Sequence, residues 1–140
     1  MAAAVAGLAA VTLSSCAKAD PLVTAFSGTR SDSVFPQCWG VAISGAITAS
    51  SCPLDPTNIG HLVVHAGSTI GVNVTPAVAA DGWTLEINNK PLVPSPLHTT
   101  YYRFAVDEQS LSQAPLQLTV YALRSNAVRG VWLYSLTRAG

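Results

Sequence analysis

Thr69-Ile70-Gly71-Val72-Asn73-Val74-Thr75 alternates apolar and polar residues at a period of two. Ile70, Val72 and Val74 face one way, while Thr69, Gly71, Asn73 and Thr75 face the other. A strand with one buried face has this pattern, and a helix does not. The alternation recurs along the chain. Trp83, Leu85 and Ile87 alternate with Thr84, Glu86 and Asn88, and Tyr102, Phe104 and Val106 with Tyr101, Arg103 and Ala105. Leu116, Leu118, Val120 and Ala122 share a face, and Trp132, Tyr134 and Leu136 oppose Val131, Leu133 and Ser135. With the short β-branched run His61–His65 and the apolar patch Leu22–Phe26, a candidate first edge strand, these make about seven short strands punctuated by Gly, Pro, Asn and Asp. Helical spacing is confined to Pro76–Asp81, a single turn at most. The expected fold is all-β: an antiparallel, Ig-like β-sandwich that follows an N-terminal signal helix.

The 140 residues suffice for one domain. Seven Lys and Arg balance seven Asp and Glu, so the formal net charge is zero. Nucleic-acid binding is not expected, because its electrostatic footprint is missing. Charged residues are only 10% of the chain and apolar ones 49%, a composition that builds a core rather than a disordered chain.

Upstream of the strands, Ala2 to Leu13 carry no charge. The run is too short to span a bilayer, which takes about 20 residues, but it fits the apolar core of a signal peptide. Leu13-Ser14-Ser15-Cys16 resembles the bacterial lipobox, in which an apolar residue and two small ones precede a cysteine that receives a diacylglyceryl group. That resemblance implies a signal peptide over 1–15, a lipidated N-terminus and tether over 16–33, and a sandwich over 34–140. It implies attachment to the lipid bilayer through acylated Cys16, on the extracytoplasmic face of the cell membrane. No Lys or Arg precedes the apolar run, a departure from the signal-peptide pattern that points to a natural start a few codons upstream.

With Cys16 assigned to lipid, Cys38 and Cys52 are an even pair in an exported chain, which reads as a disulfide. Closing a loop of about 15 residues is worth on the order of 3 kcal/mol in the chain-entropy model. The segment between them, Trp39 to Ser50, is rich in Gly and Ala and weakly periodic, and needs such a staple. A redox pair would more often show CxxC spacing.

One connector is long. Asn88–Thr100 carries Pro91, Pro94 and Pro96, which withhold backbone donors and favour an extended path. It is either a strap crossing the molecule or a contact surface. In the second case Leu92, Val93 and Leu97, with Tyr101 and Tyr102, are the candidate partner-contacting residues.

No metal site and no cofactor are expected. His61 and His65 are four apart on a strand, about 13 Å along one face, and His98 lies in the Pro-rich connector. The chain has no GxSxG, SxxK or HExxH motif and no Gly-rich phosphate loop. Asp107-Glu108 reads as a solvated turn, since neighbours on a strand point to opposite faces. Arg124, Arg129 and Arg138 give the acid-free last stretch, residues 109–140, a local positive charge. They are expected to be exposed, flanking a terminal hairpin, or set against anionic headgroups.

The lipobox, the cysteine pair, the run Gly67–Val74 and Asp81-Gly82-Trp83-Thr84-Leu85 together resemble a family of small actinobacterial secreted lipoproteins of unknown function. That resemblance implies a cell-envelope location and carries no catalytic residues. A second, looser likeness is to chagasin-like inhibitors of cysteine proteases, which have an Ig-like fold. It rests on Ala66–Val74, Asp81–Ile87 and Tyr121-Ala122-Leu123-Arg124. The NPTTG loop and the double-glycine loop of those inhibitors have no counterpart here. The expected function is therefore a non-enzymatic binding or accessory module, partnered by another envelope or membrane protein. The alternatives are a protease inhibitor, and an envelope hydrolase or small-ligand carrier. The last requires a cavity of about 300 Å³ or more with convergent polar groups.

Overall fold

The computed structural model describes residues 18–140. The expected signal peptide and Cys16 lie outside the described residues. The chain runs through β1 (Val23–Ser27), β2 (Arg30–Val34), β3 (Cys38–Ile43), β4 (Gly60–Val64), β5 (Thr69–Asn73), α1 (Pro76–Asp81) and β6 (Trp83–Ile87). It continues through β7 (Lys90–Pro91), β8 (Tyr101–Ala105), α2 (Glu108–Leu111), β9 (Leu116–Arg124) and β10 (Ala127–Arg138). A four-stranded sheet, β2-β1-β5-β8, faces a six-stranded one, β3-β10-β9-β6-β7, with β4 also paired to β10. β5 and β8 pair in the first sheet while β6, β9 and β10 adjoin in the second. That is the B–E and C–F–G arrangement of an Ig-like sandwich.

The core follows the alternation. Ile70, Val72, Trp83, Leu85, Leu118, Val120, Trp132, Tyr134 and Leu136 are all fully buried between the sheets. One pairing departs from the antiparallel expectation: β4 runs parallel to β10, Gly60 opposite Tyr134 through Val64 opposite Arg138. β10 is long enough to hold β3 along its first half and β4 along its second.

The sandwich begins earlier than residue 34. Residues 23–33, assigned above to the tether, belong with Val34 to the β1–β2 hairpin. The patch Leu22–Phe26, expected at most as an edge strand, supplies β1 as a central strand between β2 and β5. Val23 and Ala25 are fully buried. Five residues with only two large apolar side chains give a faint period-two signal, so tertiary pairing decides the strand. With β3 and β7 also added, the described residues form ten strands rather than about seven.

The outer face of the six-stranded sheet is covered as well. Residues 44–59 fold back over it, so Ile43, Cys52, Val131 and Leu133 make a second buried cluster. Cys38 and Cys52 are bridged, with Cα atoms 5.4 Å apart, and hold this cover to the start of β3. Gln37 helps from the other side: its amide donates to the Asn58 carbonyl at 2.7 Å and its oxygen accepts from Asp55 N–H at 2.5 Å.

The Pro-rich connector is an intramolecular strap. Leu97 and Trp83 exchange backbone hydrogen bonds at 2.7 and 3.0 Å, Leu92 N–H donates to the Leu85 carbonyl at 3.0 Å, and the Trp83 indole donates to the Thr99 carbonyl at 2.7 Å. The strap thus covers the free edge of β6, a position that would otherwise invite pairing with another chain. Among the described residues no helix is long and apolar enough to cross a membrane.

Candidate functional site: a charged cleft at one end of the sandwich

Arg129 is the residue around which the site is built. Strand parity places it outward, beside Val131 and Leu133. The β9–β10 ladder slips there, however: Val128 pairs with Leu123 and Gly130 with Ala122, leaving Arg129 unpaired as a β-bulge. A bulge re-aims the side chain it carries. Its Nη2 donates to the Ala77 carbonyl at 2.9 Å and lies 3.1 Å from Asp81 Oδ2. Its guanidinium stacks over Trp39, 4.6 Å from the ring centroid. Only 12% of the side chain is exposed, which corrects the expectation of a solvated hairpin arginine.

The surroundings explain the position. Gly130 carries no side chain, and a Cβ there would come within 2.5 Å of the Trp39 ring, so the indole can lie down against β10. Trp39 also touches Trp132, ring centroids 5.7 Å apart. The Trp132 indole donates to the Pro21 carbonyl at 3.0 Å and so fixes the start of the described chain against this end. Opposite stands α1, a single turn entered through Pro76 and ended by Gly82 at a φ of 97°. It presents Asp81, whose Oδ2 also accepts from Arg124 Nε at 3.3 Å.

Between these parts lies a cleft of about 530 Å³, with Lys18, Trp39, Thr75, Asp81, Arg124 and Arg129 in its walls. A second hollow of about 480 Å³ shares Trp39, Arg124 and Arg129 with it. The charged side chains are three cations and one carboxylate, an excess of positive charge in a neutral protein. Two buried polar atoms, Thr75 Oγ1 and Arg129 Nε, have no hydrogen-bond partner among the described residues. An unsatisfied buried group costs about 1–3 kcal/mol, which makes both atoms markers of this place rather than packing detail. The cleft exceeds the size set above for a carrier and its polar groups converge. By contrast, the hollow beside Ile59, Leu116 and Tyr134, about 270 Å³, contains no charged side chain.

The other sequence-derived candidates are dispersed. Val93 is buried, and the partly buried Leu92 and Leu97 pack against the main core. Tyr102 also packs on the core, whereas Tyr101 is 41% exposed and stacks on Phe26. The three arginines do not form one patch. Arg138 lies nine residues beyond Arg129, about 30 Å along the strand, and pairs with Glu108. Asp107 caps α2 by accepting from Ser110 N–H at 2.6 Å, and this bond holds its carboxyl below the usual carboxylate range. Asp107-Glu108 therefore opens a short helix that the sequence did not announce. His61, His65 and His98 are exposed, and no group of three or more metal-ligating side chains is gathered among the described residues.

Two tyrosines outside the cleft are strongly perturbed. Burial, and secondarily the Asp32 charge, pushes the Tyr134 phenol well above its ordinary value. Burial and the nearby Glu86 carboxylate push Tyr121 up to about 12. Tyr121 donates to Glu86 at 3.1 Å, so both groups serve the fold.

No family model, curated protein or solved structure matches the chain.

Proposed function

We propose that the protein is a bacterial lipoprotein, anchored through acylated Cys16 on the extracytoplasmic face of the cell membrane, that acts as a non-enzymatic binding module. The observation that carries this reading is the position of the cleft at the root of the tether. Lys18 is part of its wall, two residues after the cysteine of the lipobox-like Leu13-Ser14-Ser15-Cys16. A module held by its N-terminus and built around a site beside that N-terminus meets its ligand at the membrane surface. The chemistry in the cleft favours holding over turnover. The Thr75 hydroxyl has no base within hydrogen-bond reach, and the Asp81 carboxylate is engaged by two arginines. The likeness to small actinobacterial lipoproteins supports the same location.

The anchor is tested in the full chain expressed in a lipoprotein-processing bacterial host. Cys16→Ala should move the protein out of the membrane fraction and abolish incorporation of an alkyne-labelled fatty acid. Unchanged membrane association together with unchanged labelling would overturn the lipoprotein reading.

A further inference from the structure

We infer that the cleft is a phosphate-ester site, and that the ester it takes is the anionic headgroup of a membrane phospholipid. The inference deepens the binding-module reading above and rests on it for the source of the ester, not for the chemistry of the site.

The chemistry comes first. Three cations reach the cleft from three parts of the chain: Lys18 from the N-terminal segment, Arg124 from the end of β9, and Arg129 from the bulge in β10. Asp81 offsets one of them, and the remaining charge of two favours an anionic phosphate ester over a neutral ligand. Arg124 is 68% exposed, which leaves most of its guanidinium free to reach an incoming anion, although its Nε already faces Asp81. Donors arriving from several directions suit a tetrahedral phosphate better than a planar carboxylate, and guanidinium forks match phosphate oxygens. Trp39 and the α1 residues Pro76 and Ala77 supply an apolar wall for the glycerol portion of an ester.

The source follows from reach. Only Ala17 lies between Cys16 and Lys18, so their backbones are at most about 7 Å of extended chain apart. A cleft so close to an acylated cysteine sits in the headgroup layer, where each Lys or Arg near an anionic surface contributes roughly a fivefold gain in affinity. A free phosphate ester would find the same donors but would gain nothing from the anchor.

The test uses the full chain purified in mild detergent with whatever N-terminus the host gives it. It is titrated with dihexanoyl phosphatidylglycerol, with glycerol 3-phosphate and with dihexanoyl phosphatidylcholine, following the Arg129 Nε–H resonance and the heat of binding. The expected result is saturable binding of phosphatidylglycerol, at least about tenfold tighter than of glycerol 3-phosphate or phosphatidylcholine. Arg124→Ala should weaken it about fivefold, and Lys18→Ala with Arg124→Ala about twenty-five-fold, with an unchanged amide spectrum elsewhere showing that the fold is kept. Equal affinity for glycerol 3-phosphate would overturn the lipid source while keeping the phosphate site. Absence of binding to both esters at millimolar concentration, or binding unaffected by the double substitution, would overturn the site itself. Fatty-acid labelling of Cys16 reports on the anchor independently, so the two readings fail separately.

Discussion

Tyr134 is buried, and its hydroxyl donates to the Val23 carbonyl at 2.5 Å, tying β10 across the core to β1. A phenol with an elevated pKa is favoured as the neutral form in the folded state. Its contribution to stability is complete below the unfolded value of about 10 and declines as pH rises above it. Tyr121, raised to about 12 by burial and Glu86, acts in the same direction. Urea midpoints should therefore hold steady to about pH 9.5 and then fall steeply toward pH 12. Tyr134→Phe should cost about 1–2 kcal/mol at pH 7 and flatten that decline; an identical alkaline slope would contradict the assignment. Arg129 marks where residue-level reading failed. Parity along Val131, Leu133 and Ser135 sends it outward, and only a non-local slip in the β9–β10 register turns it. The local clue was the glycine that follows it, since a glycine inside a strand often accompanies a bulge.

Elements with alternating large side chains were legible in the sequence. β5, β6, β8, β9 and β10 stand where Ile70, Leu85, Phe104, Leu118 and Trp132 put them, and α1 occupies the one helical turn expected. β1 was legible only as a candidate edge strand over Leu22–Phe26. β2 was not, because Ser31 and Ser33 carry too little hydrophobic contrast and gain their order from β1, itself paired to β5. The same holds for residues 44–59, whose few apolar side chains become a lid only when Val131 and Leu133 are beneath them. The Pro-rich strap is tested by replacing two of its anchors. Leu92→Ser with Leu97→Ser removes apolar contacts from the β6 edge and should lower the melting temperature by several degrees, about 2–3 kcal/mol. Calorimetry on the purified variant checks this, and an unchanged melting temperature would mean that the strap contributes nothing to the fold.

For the molecule as a whole, the question is where the folding unit starts. A tether ending at residue 33 would be dispensable, whereas a central β1 is not. A chain beginning at Val34 should lack a cooperative thermal transition, because β5 loses one of its two partners and the core loses the buried Val23 and Ala25. A chain beginning at Lys18 should unfold in one sharp step, and circular dichroism distinguishes the two. The lid over the outer face carries a different consequence, one that concerns colloidal behaviour. Zero net charge gives these molecules little mutual repulsion, so solubility depends on keeping apolar stripes hidden. In a reducing cytosol the Cys38–Cys52 bridge does not form, and the lid loses its clasp. Ile43, Val131 and Leu133 then become a shared adhesive strip on every copy. Precipitation is thus the expected fate of copies that mature without the bridge.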